Sequence, residues 1–274
     1  MQELWATPFR DSTEYENPLD GVRRSDYAPR TQKKAKNSGK KANDPVFREL
    51  LSAPRLNPHG ALVAGTTISH PFFARFFARC APAAEHLGGS AHRDELLEGL
   101  EGRVIEVGAG SGLNFAHYPS SVTEVVAVEP EPYLRARATE AAGQASVPVR
   151  VVDGTAEILS FGDGIFDAAV ASLVLCSVPN QATALAELSR VLRPGAELRF
   201  YEHILAEEPG LARLQRRVDL FWPYFGAGCH TSRDTLRAIE QAGFSVSSCR
   251  RFTFRPCLLF APVSPHMIGR ATRP

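Results

Sequence analysis

The chain has 274 residues, 44% of them hydrophobic, and its 31 Lys and Arg against 30 Asp and Glu leave a net charge of +1. That is enough for one large domain or a domain with an appendage, and the charge balance supplies no overall field to draw in nucleic acid or an anionic membrane. Cys80, Cys176, Cys229, Cys249 and Cys257 form an odd set with no C-x-x-C pair, which argues against a disulfide framework, a redox dithiol or a zinc module and for a reduced, cytoplasmic setting.

The N-terminus lacks a basic start followed by an apolar core, and no stretch approaches the ~18 apolar residues of a spanning helix, so a soluble, non-exported protein is expected. Residues 1–50 are poor in periodic hydrophobics, and TQKKAKNSGKK at 31–41 carries five lysines and no acid. A solvated, disordered tail is the first reading of that composition, and a tail that touches nucleic acid or a membrane surface is the second. Residues 51–68 read as a transition segment and 69–274 as the domain. Ser69 before Pro71 opens a helix that sets Phe72, Phe73, Phe76, Phe77 and Cys80 on one face against Arg75 and Arg79, a stripe that would either pack into a core or wall a substrate.

The segment VIEVGAGSGLNFAHYP follows, at 104–119. Residues 103–107 have the β-branched content of a buried strand, the glycines crowd a turn, and Leu113 to His117 read as the start of a helix with free N–H groups facing that turn. Further strands are expected at 123–130, 147–153, 166–172, 196–203, 244–252 and 266–273, and helices at 131–142, 180–192, 209–221 and 232–242. Pro194-Gly195 and Gly243 serve as helix stops. Apolar strands alternating with helices indicate a parallel sheet covered on both faces.

The glycines at 108, 110 and 112 spell G-x-G-x-G, one residue short of the dinucleotide fingerprint, and no Gly-Lys-Ser/Thr follows to make a P-loop. Glu129 ends the second strand 21 residues past Gly108. A carboxylate at that edge can accept hydrogen bonds from both hydroxyls of a ribose.

Together with VVAVEPEPYL, DGTAEILSF, FDAAVASLVLCSVPNQATALAELSRVLRPGAELRFYEHI and GCHTSRDTLRAIEQAGF, the glycine segment resembles the class I S-adenosylmethionine-dependent methyltransferases over residues 70 to 274. GLNFAHYP, LVLCSV and FYEH are most similar to the alkyl thiol S-methyltransferases and their bacterial relatives. The resemblance implies an α/β, Rossmann-like, seven-stranded sheet of order 3-2-1-4-5-7-6, with strand 7 antiparallel and helices on both faces. It implies S-adenosyl-L-methionine as cofactor, with Gly108, Ala109, Gly110 and Gly112 forming the loop beneath it. Glu106 belongs to the expected cofactor set, Asn114 would lie toward the amino-acid end of the cofactor, Glu129 on the ribose, and Pro130 beside the adenine. Where relatives often have Gly-Asp-Ala-Glu, this chain has Gly154-Thr155-Ala156-Glu157, so either the Thr155 hydroxyl or Asp153 would take the adenine contact. Ser172 and Leu173, after strand four, complete the expected cofactor set. The thiol methyltransferases carry an apolar N-terminal anchor where this chain is polar, so membrane attachment is not carried over.

Methyl transfer from a sulfonium needs alignment of the acceptor more than a catalytic side chain. His203 at the end of strand five is the candidate general base, and its other reading is a ring that orients a loop or stacks beside the cofactor. Cys176, His203, Trp222 and His230 are expected around the substrate, with Cys176 read as a packed residue rather than a nucleophile. Asp219, Phe221, Trp222 and Tyr224 either wall an apolar acceptor or pack a helix. No metal is expected. The resulting expectation is a methyltransferase for a small, apolar acceptor, a thiol favoured over a quinone, phenol, amine or lipid. The rival class is a nucleic-acid-binding or nucleic-acid-modifying protein recruited through the lysine-rich tail, against which stand the absence of an Asn/Asp-Pro-Pro-Tyr-like motif after strand four and of a basic stripe. No feature of the sequence fixes an oligomeric state.

Overall fold

Strands that read as near-continuous Val, Ile and Ala runs must be covered on both faces, and the computed structural model, which describes residues 70–256 and 258–274, shows how. The lysine-rich tail, the transition segment, Ser69 and Cys257 lie outside the described residues. In chain order the elements are α1 (Pro71–Ala84), α2 (Ser90–Leu97), β1 (Gly102–Val107), β2 (Val122–Val128), α3 (Pro132–Ala142), β3 (Val149–Val152), β4 (Phe166–Ser172), α4 (Gln181–Val191), β5 (Leu192–His203), α5 (Pro209–Val218), α6 (Trp222–Phe225), α7 (Thr235–Gln241), β6 (Ser245–Thr253) and β7 (Pro265–Thr272). A 3-10 turn, Leu258–Val263, precedes β7.

The seven strands form one sheet of order β3-β2-β1-β4-β5-β7-β6. β1 to β5 run parallel, and β7 lies antiparallel between β5 and β6. Alternate residues serve opposite faces. Ile105, Val107, Val126, Ala169 and Phe200 pack with Leu185, Leu188 and Ile239 of α4 and α7. Val104, Val125, Val170 and Tyr201 pack with Leu96, Leu97 and Ala138 of α2 and α3. α3 and α4 are capped by carboxylate and amide: Glu131 accepts from the Leu134 N–H and Asn180 from the Thr183 N–H.

Three local expectations are corrected. Leu113 to His117 do not form a helix but a chain of turns, closed by Gly112 N–H to Ala109 C=O, Phe115 N–H to Gly112 C=O and His117 N–H to Asn114 C=O. Gly112 sits at φ +82, and a Cβ there would lie 2.7 Å from the Phe115 ring, so the segment winds around Phe115 instead of continuing a right-handed helix. On α1, Ala74 and Ala81 form the buried line while Phe72 is 90% exposed; the expected Phe stripe splits, with Phe73 and Phe77 turned inward. Finally, α4 stops at Val191, and Pro194-Gly195 fall within β5, where its register with β4 shifts between Phe166 and Ala168. α2 had no sequence signal because its apolar residues, Leu96 and Leu97, are adjacent rather than periodic.

Candidate active site

β1 and β4 are neighbours at the centre of the sheet, and their connections leave to opposite sides, which opens a crevice at the carboxyl edge. A cavity of about 340 Å³ lies there. Gly108, Ala109 and Gly110 line its wall. Gly108 takes φ +63, and a Cβ at that position would overlap the Val174 side chain. Only glycine allows the turn to pass between β4 and the cavity.

Glu129 follows β2 and is 5% exposed. One carboxylate oxygen accepts the Gly110 N–H at 2.7 Å and the other the Glu131 N–H at 2.9 Å. Burial pushes its pKa up to about 7, against the pull of those two N–H donors. A carboxylate has about four lone-pair positions, so two remain after the loop has been satisfied.

Glu106, in β1, anchors a second polar group. Its oxygens accept from Asn114 Nδ2 at 2.8 Å and from the Tyr118 hydroxyl at 2.8 Å. Asn114 Oδ1 in turn accepts from Arg93 Nη1 at 2.6 Å, and Arg93 holds Glu85 through both its other nitrogens, at 2.9 and 3.0 Å. Burial raises Glu106 to about 7, while Tyr118, Asn114 and the Arg93 charge draw it back. Glu106, Asn114 and Arg93 all line the cavity.

Pro130, Thr155, Ala156, Ser172 and Leu173 also line it. Gly112 and Gly154 do not: the first packs on Phe115, and the second, near Val128, turns the chain after β3. Asp153 points away and pairs with Arg135 at 2.9 Å, which leaves Thr155 on the cavity wall. Leu173 stands at φ +58, outside the usual range for a side-chain-bearing residue. Ser172 Oγ is buried with no hydrogen-bond partner among the described residues. A glycine cradle that a Cβ would fill, an unpartnered hydroxyl and two unused carboxylate positions form a donor set that a nucleoside with an amino-acid arm fits.

The residues expected around the substrate stand elsewhere. Cys176, His203, Trp222 and His230 do not line the cavity. His203 directs Nδ1 toward the sulfurs of Cys176 and Cys229, at 3.5 and 3.4 Å, so the base role expected of it has no contact with the cavity. Trp222 packs against Cys176, Cys229 and Val263. His230 Nδ1 lies 3.0 Å from Asp219 Oδ2, and Asp219 also takes the Thr231 N–H and the Ser232 hydroxyl; this pins the loop before α7. The loop meets the cavity through Gly226, Ala227 and Gly228 instead. Phe73 and Phe77, from the stripe read as packing a core or walling a substrate, line the cavity, as does Arg93, which sequence reasoning missed. The i, i+4 spacing of the two phenylalanines was visible, whereas Arg93 carried no motif.

Sheet order, reversed β7 and a glycine-floored crevice with a carboxylate after β2 together define a class I S-adenosylmethionine-dependent methyltransferase. The family model described as a methyltransferase domain matches residues 105–200. The human thiol S-methyltransferase TMT1B is 33% identical over 183 residues, covering 65% of this chain and 74% of that protein. Human thiol S-methyltransferase TMT1A is 32% identical over 174 residues, covering 62% and 70%. A solved Thermotoga maritima structure, described as a SAM-dependent methyltransferase and possible histamine N-methyltransferase, superposes with a TM-score of 0.55 at 24% identity over 74% of this chain and 98% of that one. The chain belongs to the S-adenosylmethionine-dependent methyltransferase family that contains these two thiol S-methyltransferases, and S-adenosylmethionine is its methyl donor. Among the described residues no helix is long and apolar enough to cross a membrane.

Proposed function

We propose that the protein methylates the sulfur of a small, apolar thiol. The observation that supports this reading is the apolar part of the cavity wall: beside its polar groups stand Phe73, Phe77, Leu113, Leu134, Val174 and Val178, a surface suited to an alkyl or aryl group. The two human relatives act, by name, on thiols.

When bound, S-adenosylmethionine supplies a methyl group already activated by its sulfonium. The protein's residues then have to bind, orient and exclude water. Glu129, with two lone-pair positions free, would accept the ribose hydroxyls. Glu106, Asn114 and Arg93 would hold the amino-acid arm, Glu106 suiting its ammonium and Arg93 its carboxylate. Pro130, Thr155 and Ala156 would hold the base, and Gly108 to Gly110 would admit the rest of the cofactor close to the main chain. A thiol with pKa about 8.5 is a few per cent thiolate at pH 7, so the acceptor needs no dedicated base.

The test is a panel of alkyl thiols, phenols and amines incubated with the protein and S-adenosylmethionine, scored by product mass. An S-methyl product from apolar thiols is expected. Methylation of phenols or amines with no thiol product would overturn the acceptor assignment and leave the cofactor assignment standing.

A further inference from the structure

Beside the methyl-donor cavity, three side chains from three separate elements converge on one point. Cys176 follows β4, His203 ends β5, and Cys229 lies on the loop after α6. Cys176 Sγ and Cys229 Sγ are 3.7 Å apart, and His203 Nδ1 is 3.5 and 3.4 Å from them. We propose that Cys176, Cys229 and His203 form a binding site for a thiophilic divalent cation, zinc by preference, with a fourth position for water or an exogenous ligand.

The spacing carries the proposal. A tetrahedral zinc ion with bonds of about 2.3 Å to sulfur and about 2.05 Å to nitrogen sets its ligands about 3.8 Å apart for two sulfurs and about 3.6 Å apart for sulfur and nitrogen. The three observed separations match those edges. A disulfide is a different geometry, since its sulfurs stand about 2.05 Å apart.

The surrounding chain holds the three groups in place before any ion arrives. Glu202, fully buried, accepts the N–H groups of Val174, Leu175 and Cys176 at 3.1, 2.8 and 3.1 Å, which fixes the turn that carries Cys176. The His230 N–H donates to the Cys176 C=O at 2.9 Å, lacing the second cysteine's loop to the first. Gly228, at φ +84, comes so close that a Cβ would stand 2.7 Å from the Ser177 carbonyl oxygen; a larger residue would push Cys229 away from Cys176. Cys176 and Cys229 are buried and His203 half-buried.

Capture of the ion forms two Zn–S bonds and one Zn–N bond and releases one proton from each thiol to solvent, with no change in oxidation state. Two thiolates, a neutral imidazole and a dication sum to zero charge, which suits a buried position. Two thiolates with one imidazole are a soft donor set that disfavours magnesium and calcium. Ser177 and Gly228, the chain neighbours of the two cysteines, line the methyl-donor cavity, so the ion would stand next to it.

The full-length protein, purified under a non-chelating reductant and equilibrated with zinc, is dialysed against metal-free buffer and its zinc measured by elemental analysis. One zinc per chain is expected, with affinity lowered at least about tenfold by Cys176→Ser or Cys229→Ser and unchanged by Cys249→Ser. Cobalt substitution of the wild-type protein should give the near-ultraviolet thiolate-to-cobalt charge-transfer band, a readout that needs no variant to fold. Retention of neither metal, a bound cobalt without that band, equal loss in Cys249→Ser, or a Cys176–Cys229 disulfide in the reduced, zinc-equilibrated protein would overturn the assignment.

Discussion

Lowering the pH below 7 should weaken cofactor binding, and Glu129→Gln should remove part of that dependence. In the cofactor-free site Glu129 and Glu106 both titrate at about 7. On the proposed reading the ionised carboxylates bind the ribose hydroxyls and the ammonium group, so each carboxyl must release its proton before the cofactor docks. At about pH 8 and above both are largely ionised and affinity is flat; well below pH 7 each group costs about tenfold per pH unit, or up to about a hundredfold when both must be deprotonated. Glu129→Gln abolishes one titration and halves the limiting slope. At pH 8 the variant also replaces a charged acceptor with a neutral one in two hydrogen bonds, a loss of about 1 kcal/mol each, or roughly 30-fold in Kd. Its NH₂ must in addition face either the Gly110 or the Glu131 N–H, both of them donors. The assay is calorimetric titration with S-adenosylhomocysteine from pH 5.5 to 8, with circular dichroism to establish folding. A wild-type Kd that ignores pH, or a folded Glu129→Gln protein with unchanged Kd and slope, would refute the reasoning.

The same two carboxyls make the cofactor-free protein lose stability as pH rises. Their folded pKa values lie above the ordinary 4.5, so this contribution is fully present below pH 4.5 and is lost as pH climbs through about 7. Thermal melts should show Tm falling over that window, and Glu106→Gln should flatten the fall by up to about 3 kcal/mol. Gly108→Ala should lower stability by about 1–2 kcal/mol for its left-handed backbone and a further 1–3 kcal/mol, roughly, for overlap with Val174; chemical denaturation would measure the loss, and calorimetry should show cofactor affinity falling with it. Phe73→Ala should raise KM for a long-chain alkyl thiol about fivefold through lost apolar contact, while Kd for S-adenosylhomocysteine stays within about twofold; an unchanged KM would place the acceptor away from α1.

What can be read along the chain is what depends on neighbours in the chain. Val104, Ile105 and Val107 in the first strand and Ala168 to Ala171 in the fourth put apolar side chains on both faces because both sheet faces are covered, and this is why the runs at 103–107 and 166–172 were recognisable as buried strands without knowledge of their partners. Glu129 was placed at the carboxyl edge by the same logic, as the end of the second strand, and the structure sets it one residue beyond β2. The Leu113–His117 segment misled because helix preference is local while its actual path is set by Gly112 closing on the buried Phe115 ring.

By itself, then, the sequence determined the strands, the glycine turn and the acid at the end of the second strand, which rest on local periodicity and short spacings, while the strand order came from the family resemblance. Only the tertiary structure decided how α2 brings Arg93 onto Asn114, 21 residues away, and that His203 turns from the cavity to two sulfurs. Cys176 and Cys229, 53 residues apart, meet at 3.7 Å although no C-x-x-C spacing announces them. The physical reason is that strand ends of a parallel sheet gather at one edge whatever their distance along the chain, so convergence there is a property of strand order and loop packing and leaves no periodic trace in the residues themselves.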